Sequence, residues 1–365
     1  NRYSGGSFEL TENDLAVSKN YHIRYWKYSG GIVKIQTIRR TLSFSSLLVF
    51  GLLIGIVGAN AQGIKDYPNK SITLIVPFPP GGATDALSRI VAQKLSTNLG
   101  QSVIVENHPG AGGTIGAALG MRAAPDGYTL LFTTSSTHSV APSFPKKLPY
   151  DSVADFTPIG GVAFSPAVLM VTKTLPIKTV KELVAYAKAH PGELNYASSG
   201  VGTVIQLNAE AVKAQAGINM THVPYKGTGP AAQDLLAGVV PLFIETSLAT
   251  AITHAQNPKI RIIAVTRKNR SPLLPQVPAL GELGFPELDS PAWFGLVGPA
   301  NMSPEVVTKI NQAITQALRT AHAKEVFARF GAEPAPTTPQ EFGLYVDREI
   351  VRWANVVKKA QIQPM

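Results

Sequence analysis

The stretch Leu-Ile-Val-Pro-Phe-Pro-Pro-Gly-Gly-Ala-Thr-Asp (74–85) limits the fold of this chain more than any other. Ile72–Val76 is a continuous apolar run, the pattern of a strand buried on both faces. The prolines and glycines that follow cannot continue that strand and read as a turn. Beyond the turn, Leu87, Ile90, Val91 and Leu95 recur on one face of an amphipathic helix. A strand, a glycine turn and a helix start, in that order, leave backbone N–H groups free at the positive end of a helix dipole, an arrangement that suits an anion. Gly81 and Gly82 lack a Cβ, so a ligand can come close to the backbone there. A βα turn without any ligand satisfies the same residues.

The unit recurs. A strand over 102–106 leads into Pro-Gly-Ala-Gly-Gly-Thr (109–114) and a helix of small residues to about 122. A third strand over 128–133 ends in the hydroxyl-rich Thr-Thr-Ser-Ser-Thr (133–137). Alternating strands and helices predict an α/β fold with a parallel sheet, its ligands outside the carboxyl ends of the strands. Residues 156–162 read as a crossing segment to a second sheet. There a strand over 194–197 precedes Ser-Ser-Gly-Val-Gly-Thr (198–203) and a helix over 204–215. Strands over 167–171, 241–245 and 260–266 complete that sheet. An apolar strand over 293–297 then leads into two closing helices, the first capped by Ser303 with Pro304 behind it, the second by the capping box Thr338–Glu341. With no strand after them, these helices are expected to pack on the first domain. The predicted division is domain one from 62–162 plus 290–365 and domain two from 163–289. Two crossings make a hinge and a cleft.

Residues 1–61 stand outside this fold. Arg39 and Arg40, an apolar run over 42–57 and Ala59-Asn60-Ala61 form the pattern of a secretory signal peptide, with cleavage before Gln62. A transmembrane anchor is the alternative, but the apolar run falls short of about 20 residues. The signal pattern begins near Val33, so 1–32 read as an upstream extension. The leader carries 7 of the 33 basic and 3 of the 23 acidic side chains, which leaves a net charge of +6 after Ala61. Those charges are scattered, which argues against nucleic acid and for mild attraction of anions. The chain has no cysteine, so disulfides, thiolate metal sites and a lipid-modified cysteine are excluded. An exported chain of this kind is expected in the periplasm.

Catalytic signatures are missing. The seven histidines show no metal-ligand spacing, and neither a G-x-S-x-G elbow nor a G-x-x-x-x-G-K-[ST] loop is present. Gly110-Ala111-Gly112 imitates a dinucleotide fingerprint, but the third glycine falls at 116 rather than 115. Ser198, Ser199 and Thr203 include no nucleophile with an assignable base. Hydroxyls and amides without an acid/base pair suit binding better than catalysis, and neither a cofactor nor a metal is called for.

Six stretches in order carry a family resemblance: Tyr67 to Asp85, Asn107 to Gly113, Ala124 to Thr129, Tyr196 to Thr203, Val223 to Gly227 and Trp293 to Leu296. With them the chain resembles the Bug family, the periplasmic substrate-binding proteins of tripartite tricarboxylate transporters. The resemblance implies a two-domain clamp, the Venus flytrap fold of periplasmic binding proteins. It implies a small carboxylate ligand held by backbone amides, hydroxyls and waters, delivery to membrane transporter subunits, and a monomer. Carried over by position, it puts Phe78, Gly81, Gly82, Ala83 and Asp85 on one wall of the cleft, with Thr133, Thr134 and Ser135 beside them. Ser198, Ser199, Gly202 and Thr203 form the opposing wall, near Tyr225. Members often have His where Gln206 stands and Asp where Pro241 and Glu245 stand. Glu245 falls at the end of a strand where a pocket residue sits. A ligand-binding receptor that feeds a membrane sensor kinase would have the same sequence, and a periplasmic hydrolase is the third reading.

Overall fold

A computed structural model describes residues 66–359, apart from 145–146, 247, 272 and 286–290. The leader, the Ala61–Gln62 bond and the 289/290 boundary lie outside the described residues. The first sheet is built on β1 (Ile72–Val76), flanked in parallel by β2 (Val103–Asn107) and β3 (Thr129–Thr134). Both faces of β1 are buried, which is why its sequence is apolar without alternation. Ile72, Leu74 and Val76 meet Leu87, Val91 and Leu95 of helix α1 (Ala83–Leu99). Ile75 points the other way, against Ala117 and Ala118 of α2 (Thr114–Met121). Burial of each large aliphatic side chain contributes about 1.5–3 kcal/mol.

The segment after the third βα unit is not a simple crossing. It is a ten-residue strand, β4 (Phe156–Ser165). Its proline and two glycines hid it from a reading of the sequence, and pairing and packing explain them. Pro158 sits at a register shift, where a missing N–H is tolerated. A Cβ on Gly160 would come within 2.6 Å of Asn311 Nδ2, and one on Gly161 within 2.9 Å of the Ala335 carbonyl. Glycine thus lets the C-terminal elements lie directly on the strand.

From β4 the chain enters the second sheet at β5 (Val168–Thr172). That sheet continues with α3 (Val180–Ala189), β6 (Asn195–Ser198), α4 (Val204–Ala216), β7 (Thr221–Pro224), α5 (Thr228–Ala237), β8 (Leu242–Glu245), α6 (Leu248–Ala255) and β9 (Ile260–Val265). Its strand order is β7-β6-β8-β5-β9, with β5 antiparallel to both neighbours. The chain returns through β10 (Ala292–Pro299), which inserts antiparallel between β3 and β4. Both sheets are therefore mixed rather than parallel. β10 enters the first sheet from the side of the second, so it runs against β3.

Three helices close the described chain rather than two. α7 (Pro304–Leu318) packs on α1 and β4. A break at Arg319–Thr320 starts α8 (Ala321–Arg329), where the Thr320 hydroxyl accepts from the Ala323 amide at 3.1 Å. A two-residue strand, β11 (Glu333–Pro334), then pairs with β4 at the sheet edge, and α9 (Pro339–Lys359) crosses β4. The Ser303 hydroxyl donates to the Glu305 carboxylate, so it does not cap the backbone of α7. Thr338 and Glu341 do exchange the two bonds of a capping box, at 2.9 and 3.2 Å.

Candidate functional site

The carboxyl ends of β1, β3, β6, β7 and β8 carry the loops in which glycines and hydroxyls are concentrated, and these loops converge on one gap between the sheets. Helix starts surround the gap. α1 begins at Gly82 with extended backbone (φ −91°, ψ 174°) and no side-chain cap, and α5 begins at Gly227, also uncapped. α4 begins at Thr203, and its Val204 amide donates to Ser136 Oγ across the gap at 3.1 Å. Three positive helix ends therefore point at one region, with the first amides of two of them free of any side-chain cap.

A first chamber of about 430 Å³ lies there. Phe78, Pro79, Gly82 and Thr84 form one wall, with Thr134, Ser135 and Ser136 from β3 and the π-helical turn Ser136–Val140 beside them. Ser199, Val204, Ile205, Thr228 and Thr246 face them from the second sheet, over a floor of Ala292 and Phe294. The Ser135 side chain is 1% exposed, and its hydroxyl has no partner within the protein. A second chamber, about 480 Å³, shares Gly82 and Thr228 with the first and adds Gly81, Ala83, Gln233, Glu245 and His254. The shared boundary is tight: a Cβ on Gly82 would lie 2.7 Å from Thr228 Oγ1. Among the described residues, no Lys or Arg lines either chamber.

Of the residues singled out from the sequence, Phe78, Gly82, Thr134, Ser135 and Ser199 line the first chamber, and Gly81, Gly82, Ala83 and Glu245 the second. Asp85, Thr133, Ser198, Gly202, Thr203 and Tyr225 line neither, because their polar groups are engaged in holding the loops. Asp85 accepts from the Gly81 amide, Asn107 Nδ2 and Arg89. Burial pushes its carboxyl up, but these hydrogen bonds outweigh burial and hold it below the usual carboxylate range. Thr133 Oγ1 lies 2.6 Å from Nδ1 of the buried His138. Thr203 Oγ1 donates to the Gly200 carbonyl at 2.8 Å and caps α4. Gly202 N–H donates to Gln206 Oε1 at 2.8 Å, and Tyr225 donates to Asp234 at 2.7 Å.

Ser198 has a neighbour that sequence reasoning missed: His222 Nε2 stands 2.6 Å from its Oγ. Ser198 is fully buried, however, and its hydroxyl also bonds to Gly200, so the pair braces the 198–203 loop and offers no substrate a nucleophile. Burial pushes His222 down to about 4. Thr228 and Thr246 were also missed. Thr228 is the first residue of a helix after a glycine and Thr246 follows a buried strand, the same signals that marked the other loops. Among the described residues no cluster of three or more His, Asp or Glu is placed to hold a metal ion.

The sequence profile described as "Tripartite tricarboxylate transporter family receptor" matches residues 87–362. Protein BugT of Bordetella pertussis is 38% identical over 315 residues, 86% of this chain and 96% of that protein. Among solved structures, R. palustris Rpa4515 with adipate is 36% identical with a TM-score of 0.79, over 82% of this chain and 100% of its own. MatC from Rhodopseudomonas palustris with bound malate is 32% identical with a TM-score of 0.76, over 80% and 100%. These likenesses run the length of both sheets, so the architecture is the two-domain α/β fold of periplasmic binding proteins. The chain belongs to the tripartite tricarboxylate transporter receptor family, the Bug proteins, and is a solute-binding receptor rather than an enzyme.

Proposed function

We propose that this chain captures a small carboxylate in the periplasm and hands it to the membrane subunits of a tripartite transporter. The observation that carries the reading is the unpartnered Ser135 hydroxyl, buried in a chamber bounded by helix N-termini. A buried hydroxyl without a partner is costly unless a ligand supplies one. With no Lys or Arg among the described lining residues, the carboxylate is met by amides, hydroxyls and helix dipoles. Hydrogen bonds to a charged group contribute roughly 1.5–3 kcal/mol each, so three or four support micromolar binding after ordering costs. The adipate and malate held by two relatives agree with this chemistry. On this reading the leader is removed before Gln62, which intact-mass analysis of a periplasmic extract tests: a full-length species retained in membranes contradicts it.

Binding is tested by a thermal-shift screen of mono- and dicarboxylates. A ligand at 100 times its Kd raises stability by about 2.7 kcal/mol. If no carboxylate shifts the folded protein, the reading fails. Delivery is tested by capture from solubilised membranes of the source cell, in which transporter subunits are expected and recovery of a sensor kinase alone contradicts the transport role.

A further inference from the structure

A further cavity, about 460 Å³, lies where the chain leaves and re-enters the first sheet. The end of β4 and the start of β10 form one wall, and α9 with the 335–337 segment forms the other. Among the described residues it shares only Phe294 with the first chamber and none with the second. Its size falls in the range of small-molecule sites. Gly161, Ala163 and Ala335 are small and make the room, and aromatic rings border it. Trp293 stands edge-on to Phe342 at 5.6 Å and to Tyr345 at 5.9 Å, and Tyr345 edge-on to Phe164 at 5.5 Å. A wall of ring edges and faces suits an aromatic body. Trp293 itself is 1% exposed, and its indole N–H has no partner in the protein. A buried donor left unpaired is costly unless something else accepts from it. Arg348, exposed on α9, is the only Lys or Arg in the lining among the described residues, and none of them pairs with it. Glu341, the one acid there, is engaged at the helix start, where it accepts from the Thr338 amide and hydroxyl, both at 2.9 Å. It lies two turns before Arg348, about 10 Å along the helix axis, so the guanidinium keeps its charge for an anion. A carboxylate deep among the rings would lose its hydration without return; at Arg348 it gains a charge-assisted pair.

We propose that this cavity is a second binding site, separate from the capture chambers, and that it takes a free aromatic carboxylic acid. The carboxylate rests on Arg348, the ring fills the space between α9 and the two strands, and an acceptor atom on the ring meets the Trp293 N–H. The site does not depend on what the capture chambers hold.

Fluorine NMR of protein expressed as the whole chain with 5-fluorotryptophan tests this, because Trp293 and Trp353 are the two tryptophans after Ala61. Their resonances are assigned with Trp293→Phe or, should that chain not fold, with Trp353→Phe. Titration with 4-hydroxyphenylacetate is expected to shift the Trp293 resonance saturably. The uncharged 4-hydroxyphenylacetamide is expected to bind at least tenfold more weakly, and 4-methylphenylacetate, which lacks the acceptor, at least threefold more weakly. Arg348 is exposed, so Arg348→Glu leaves the interior intact and is expected to weaken the acid at least tenfold, with circular dichroism confirming the fold. Ser135→Ala, in the first chamber, is expected to leave this titration unchanged. No saturable shift of the Trp293 resonance, equal responses to acid and amide, equal binding of the hydroxyl and methyl acids, or an equally strong shift by octanoate overturns the proposal. So does a response that Ser135→Ala removes and Arg348→Glu keeps, which would put the acid in the first chamber and leave the carboxylate reading standing.

Discussion

At the scale of the residue, the cleft sorts its hydroxyls into two kinds. Thr133, Ser198 and Thr203 bond inward and shape the loops, whereas Ser135 bonds to nothing in the protein. Ser135→Ala is therefore expected to weaken carboxylate binding about tenfold to a hundredfold, the value of one hydrogen bond to a charged group, with the melting temperature of the unliganded protein unchanged. Thr203→Ala is expected to lower stability by about 1 kcal/mol through loss of a helix cap. Titration calorimetry and thermal unfolding of both variants check the contrast, and a Ser135 variant that binds normally contradicts it. The residue types of the cleft were legible in the sequence as hydroxyl runs after strands. The direction of each hydroxyl was not, because it depends on partners such as His138 and His222 that only the fold brings near. Those two histidines also set a pH dependence. Burial pushes His138 down to about 3 and His222 to about 4, while in the unfolded chain both titrate near 6.5. Between pH 6.5 and 4 the unfolded state takes up protons that the folded state refuses, so stability falls as the pH falls through that window and is full above it. Melting temperatures at pH 7.5, 6 and 4.5 are expected to decrease in that order, with a shallower slope in His222→Gln; a flat profile contradicts neutral buried imidazoles.

At the scale of the element, local chemistry decides most boundaries. α3 starts with a full capping box, in which Thr179 Oγ1 accepts from the Glu182 amide and Glu182 accepts from the Thr179 amide, both at 3.1 Å. Thr179→Ala is expected to cost about 1 kcal/mol, read by denaturant unfolding, and to leave carboxylate affinity unchanged because α3 lines neither chamber. The strand–glycine–helix units were legible for the same local reason: apolar runs, turn residues and helical periodicity sit side by side in the chain. What escaped was set at a distance. β4 carries Gly160 and Gly161 because α7 and the 335–337 segment press on it, contacts more than 150 positions apart in sequence. The antiparallel sense of β10 follows from the route of the chain, and the split between α7 and α8 hangs on one threonine cap.

At the scale of the whole molecule, loops carried by the two sheets meet at glycines. A Cβ on Gly112 would lie 2.3 Å from the Val201 carbonyl, and one on Gly227 2.6 Å from Pro79. Gly112 is also left-handed, with φ 65°, which by itself costs a non-glycine residue about 1 kcal/mol or more. Gly112→Ala is therefore expected to hold the two lobes apart. In small-angle scattering the wild type is expected to contract on saturation with a bound carboxylate, whereas the variant is expected to keep its unliganded radius and bind at least tenfold more weakly, with circular dichroism confirming the fold. A variant that contracts like the wild type contradicts this account of closure. Gly200 touches Gly112 in the same place, and neither residue lines either chamber. The latch at Gly112, Gly200 and Val201 thus stands apart from the chamber walls, although Pro79 belongs to both the contact and the lining. Over evolutionary time a lineage can exchange the walls and inherit the latch, so new diets arise from a few substitutions while the mechanics of capture stay the same.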